Sequence, residues 1–90
     1  MFYIVECHIK CDEEVKEKLE AIIQKWKNID LGLAKYRGEE TSDEYVISGV
    51  TAEFGTNNVY SLPYIVEICG GILTSFYVKP SDDISEIFED

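Results

Sequence analysis

The chain has 90 residues, 46% hydrophobic and 12% aromatic, which suits one small core and is too little for two. Eighteen acidic side chains against eight basic ones leave a formal net charge of -10, a balance that repels phosphate backbones and argues against direct nucleic-acid binding. No uninterrupted apolar run reaches the roughly 18 residues of a membrane-spanning helix, so no membrane partner is expected.

The opening MFYIVECHIK carries Glu6 and His8 within its apolar run and has no basic leader, so it reads as a strand and not as a secretory signal. Three cysteines, an odd number, then point to reduced thiols and a cytoplasmic location. Over Phe2 to Lys10 the residues alternate: Tyr3, Val5, Cys7 and Ile9 form one apolar side, and Phe2, Ile4, Glu6, His8 and Lys10 the other. The first set is expected to face the core.

Asp12 to Lys27 is the clearest helix in the chain. Val15, Leu19, Ile22 and Trp26, with Ile23 beside them, gather into one apolar stripe, and Asp12 is placed to cap the N-terminus. Acidic residues crowd the first turns and Lys25 and Lys27 the last, as the helix dipole favours. Asn28 to Asp30 reads as a turn and Leu31 to Arg37 as a second strand, loosened by Gly32 and Gly38. The connection EETSDE, Glu39 to Glu44, is strongly acidic. Tyr45 to Phe54 alternates again, with Val46, Ser48, Val50, Ala52 and Phe54 expected inward and Tyr45, Ile47, Thr51 and Glu53 outward.

After the turn signal GTNN, Leu62 to Cys69 has two readings. As a helix it places Leu62, Ile65, Val66 and Cys69 on one face, with Gly70 just beyond its end. As a strand it joins Ile72 to Lys79 through a Gly70-Gly71 hairpin, leaving one helix on a five-stranded sheet. The helix is preferred because one helix would leave much of a five-stranded sheet bare. The last strand, Ile72 to Lys79, is expected to turn Ile72, Thr74, Phe76 and Val78 inward.

The resulting fold class is α+β, a βαββαβ order that resembles ferredoxin-like proteins at the level of element order: two helices on one face of a four-stranded antiparallel sheet. Residues 1–80 form the single domain and 81–90 an acidic tail, in which Ile84, Ile87 and Phe88 are spaced like an amphipathic turn. Element order alone leaves function open.

The outer sheet face is expected to expose Phe2, Ile4, Tyr45, Ile47, Leu73 and Tyr77 together, and a contiguous apolar patch marks an interaction site. Glu39, Glu40, Asp43 and Glu44 add an acidic rim, and with the tail they hold nine of the eighteen acids. The expected function is a non-catalytic protein-interaction or regulatory module that self-associates as a homodimer, with a protein partner that is basic where the rim is used. One alternative is an acidic decoy that inhibits a basic nucleic-acid-binding protein. Another is a cofactor-free dimeric enzyme or small-ligand binder with His8 as base and Glu6, Glu53 and Tyr77, with Tyr45, nearby. No cofactor is expected. Cys7, His8, Cys11 and Cys69 are poor zinc ligands, since adjacent Cys7 and His8 point to opposite faces of one strand.

Overall fold

A computed structural model describes residues 2–26, 29–38 and 42–81. Its first strand, β1 (Phe2–Lys10), buries Val5, Cys7 and Ile9, the apolar side of its alternation. Asp12 then caps α1 (Glu13–Gln24), its Oδ1 accepting from the Val15 amide at 2.9 Å. This helix packs over the core against the strand at Ile29–Lys35 and the helix at Leu62–Cys69: Val15, Leu19 and Ile23 of its stripe are buried, and Trp26 packs against the same cluster just beyond the helix end. Strand β2 (Ile29–Lys35) starts where the sequence suggested a turn. A short 3-10 turn, Tyr36–Gly38, follows it, with Arg37 at φ 59°.

Strand β3 (Glu44–Ala52) leads through a second 3-10 turn, Glu53–Gly55, into two helices, α2 (Thr56–Tyr60) and α3 (Leu62–Cys69). The helical reading of Leu62 to Cys69 holds: Leu62 and Val66 are fully buried, and Ile65 and Cys69 pack against the core cluster. Gly70, at φ 98°, ends the helix. Its amide bonds to the Glu67 carbonyl at 3.1 Å and the Gly71 amide to that of Val66 at 2.9 Å, so carbonyls of the last turn are satisfied without a hairpin. Ser61 does not cap α3 with its side chain. Strand β4 (Ile72–Ser81) completes the chain described.

The four strands form one antiparallel sheet in the order β2-β3-β1-β4, and the helices supply the other wall of the core. This α+β arrangement is compatible with a ferredoxin-like one. Two strand facings differ from expectation. In β3, Tyr45, Ile47 and Thr51 are the buried residues, at 3%, 0% and 1% exposure, and Ser48 is exposed. The ladder explains this: Ile9 lies opposite Tyr45 and Cys7 opposite Ile47, so both join the core side of β1. Tyr45 and Ile47 also remove more apolar surface from water than Val46 and Val50 would. The side chain of Phe54 lies outside the described residues, as do Lys27 and the acidic tail from Asp82.

In β4 the register shifts between His8 and Ile9, so that His8 lies opposite Ser75 and Ile9 opposite Leu73. Thr74 is the extra residue of this bulge, and its hydroxyl donates to the His8 carbonyl at 3.0 Å. The shift reverses the start of the strand. Leu73 comes to the helix side, Thr74 is exposed, and Ile72 is 64% exposed, while Phe76 and Val78 pack inward as expected.

Candidate functional site

The sheet face away from the helices carries the polar groups that the sequence brought forward. On β1, Glu6 and His8 are neighbours on one side of the strand, and Glu6 Oε1 meets His8 Nε2 at 2.9 Å. Tyr77 lies opposite Glu6 on β4, and its hydroxyl donates to the second oxygen, Glu6 Oε2. The Tyr77 hydrogen bond, and after it the His8 one, holds the Glu6 carboxyl below its ordinary value. The same bond to Glu6 raises the Tyr77 phenol. The tautomer that donates from Nε2 to Glu6 leaves Nδ1 as the unprotonated ring nitrogen of His8. Tyr36 packs its ring edge against the imidazole, 5.2 Å between centroids, and the Arg37 guanidinium lies 4.9 Å from the Tyr36 ring. A groove of about 380 Å³ opens here, lined in part by His8, Lys10, Tyr36, Thr74 and Ser75.

Around these groups the face is apolar. Phe2 is 43% exposed at the sheet end, opposite Ala52, and Ile4 sits between Val50 on β3 and Lys79 on β4. His8 is paired across β3 with Val46. Val46, Val50 and Ala52 were assigned to the core by the sequence reading, yet they are half-buried members of this outer surface. Only their cross-strand partners on β1 identify them as such.

The remaining site expectations divide. Ile47 belongs to the core, and Tyr45, although almost wholly buried, forms part of the wall of the His8 groove. Leu73 is turned to the helix side by the bulge. Glu53 is exposed in the 3-10 turn after β3, at the sheet end near Phe2, and does not join His8. Of the acidic rim, Glu39 and Glu40 lie outside the described residues. Asp43 is exposed and its carbonyl accepts from the Cys11 amide at 3.0 Å, while Glu44 faces Lys10, Oε1 to Nζ 3.8 Å. Among the described residues, no group of three His, Cys, Asp or Glu side chains is placed to hold a metal ion. Among them also, no helix is long and apolar enough to cross a membrane.

Residues that the sequence reading missed lie elsewhere. Tyr60, Tyr64 and Ile68 are exposed on the far side of the last two helices. Their spacing of four was a legible signal, masked by the stronger stripe of Leu62, Ile65, Val66 and Cys69.

Compared with family models, with curated proteins and with solved structures, the chain gives no match.

Proposed function

We propose that this protein is a non-catalytic interaction module of ferredoxin-like topology, using its bare sheet face as the contact and a second copy of the chain as the occupant. The observation that carries the reading is the composition of that face. Phe2, Ile4, Val46, Val50 and Ala52 surround polar groups that are already paired among themselves, Glu6 with His8 and Tyr77, and Glu44 with Lys10. An antiparallel sheet face left to solvent is normally polar. Facing sheets of two copies would cover the apolar groups, with Asp30 beside Val50 and Lys79 beside Ile4 as the charges that such a pair must also accommodate, and closed two-fold pairs are the commonest oligomers. The net charge of -10 on each chain opposes pairing at long range, so added salt should tighten it. An odd number of cysteines suits a reducing, cytoplasmic setting.

Sedimentation equilibrium over a range of concentration tests this. The unaltered chain should dimerise, and Val50→Lys, which sets a cation opposite Asp30, should be monomeric with unchanged unfolding. A monomer at every concentration, or a dimer indifferent to Val50→Lys, would sink the reading.

The Glu6–His8–Tyr77 chain supports a second reading, a cofactor-free enzyme or small-ligand binder with His8 as base in a cavity closed by the facing sheet. It needs Nδ1 unprotonated and turned to the groove. Nitrogen chemical shifts of the His8 ring report the tautomer, and protonation at Nδ1 instead of Nε2 would remove this reading. The acidic-decoy reading is the less supported, because Glu44 of the rim is already engaged by Lys10.

A further inference from the structure

We infer that the flank formed by α3 and the free edge of β4 is a second docking surface, and that its occupant is an extended segment of another protein bearing lysine or arginine among apolar residues. Helix α3, LPYIVEIC, has a single charged side chain, Glu67, and is apolar on both sides. Leu62 and Val66 account for the buried side. On the other, Tyr64 is 67% and Ile68 64% exposed, and Tyr60 extends the row one turn back. A helix that is apolar all round is normally covered all round.

The neighbouring strand adds exposed Ile72 and Leu73, which line one groove with Tyr64. Among the described residues, three of the seven exposed large hydrophobic side chains therefore line this groove, and Ile68 continues the helix row. Among the described residues, β1 is the only strand that pairs with β4, and no described segment pairs along its other edge, which can take an extended segment. Pro80 limits that edge at its far end, which leaves the part nearest α3 open.

Charge decides between a partner and a second copy. A groove of about 490 Å³ between helix and strand is lined by Pro63, Tyr64, Glu67, Gly71, Ile72 and Leu73. Glu67 is its only charged group, and among the described residues no cation is paired with it. A second copy would bring a second unpaired Glu67 carboxylate to this groove. A cationic segment would neutralise the carboxylate while its apolar residues cover Tyr64 and Ile68.

The test uses the whole chain and, as probe, a short peptide alternating leucine and lysine, with a leucine–glutamate peptide as control, followed by backbone and side-chain NMR. The cationic peptide should bind saturably and shift Tyr60, Tyr64, Glu67, Ile68 and the β4 amides, with no binding of the control. The double variant Tyr64→Ala, Ile68→Ala alters only exposed side chains and should weaken binding about tenfold, or about 1.4 kcal/mol. Glu67→Lys should also weaken it. Shifts confined to the acidic loop or the sheet face, or binding unaffected by these variants, would overturn the inference. So would shifts at α3 that appear on raising protein concentration without peptide, because a second copy would then be the occupant. The Val50→Lys variant should bind the peptide as the unaltered chain does, so failure here is separable from failure of sheet-face pairing.

Discussion

The Tyr77 hydroxyl donates to Glu6 across the β1–β4 ladder, joining two strands through side chains 71 positions apart in sequence. The bond ties the protonation of the sheet face to its geometry. It favours the charged carboxylate, and His8 adds to that from the other oxygen.

Removing the hydroxyl should therefore show in the titration of Glu6. In Tyr77→Phe the Glu6 carboxyl should titrate closer to the ordinary value of 4.5, as followed by its carboxyl carbon shift. The sign for stability follows from the lowered value in the folded chain. The contribution is present above the ordinary glutamate range and is lost as pH falls through the lowered one. Tyr77→Phe should reduce that acid-side loss by a small amount only, because the Glu6 side chain is 35% exposed and solvent screens it. A Glu6 titration that does not move in the variant would mean that the hydroxyl bond is not formed in solution.

Ile47 is fully buried opposite Cys7. Ile47→Asp should cost about 4 kcal/mol or more, since a carboxylate would have to be buried without a partner. That is most of the stability of a small domain, so the variant should lose cooperative urea unfolding at neutral pH. A folded, merely monomeric Ile47→Asp would show that β3 turns its other side to the core.

Gly49 sits in β3 at φ 152°, and a Cβ there would drive into the Asp30 main-chain carbonyl on β2. Gly49→Ala should destabilise the chain by about 2 kcal/mol or more, as backbone strain and displacement of the β2–β3 ladder combine. Denaturant midpoints measure it, and the loss should be accompanied by amide-shift changes along β2. Gly32→Ala is the matching control, because open space surrounds its missing side chain.

Burial pushes the Cys7 thiol up to about 11 from its ordinary 9.0. A value raised in the folded chain means a stabilising contribution that is complete below 9.0 and disappears as pH rises through about 11. Stability should fall across that interval by at most about 1.4 kcal/mol per pH unit from this group, and Cys7→Ala should flatten the fall. At neutral pH a thiol reagent should label the half-buried Cys69 well before Cys7 in the native chain, read by mass spectrometry of peptides.

The sequence by itself determined the elements whose pattern is one-sided. The stripe of α1, its Asp12 cap, the apolar side of β1 and the Gly70 stop of α3 each depend on neighbours within about one turn or one strand, so local spacing was enough. From these, the order of the four strands, α1 and α3 followed, and with it the placing of Glu6, His8 and Tyr77 on one face, whereas α2 over Thr56–Tyr60, where GTNN reads as a turn, did not. The facing of β3 and of the start of β4 was decided only in three dimensions. Strand β3 is apolar on both sides, Tyr45 and Ile47 against Val46 and Val50, so its alternation is satisfied equally well in either phase. The ladder to β1 chooses the phase that buries the larger pair. The bulge at Thr74 likewise leaves no trace in composition, because one unpaired residue reverses the strand's facing without altering its residues.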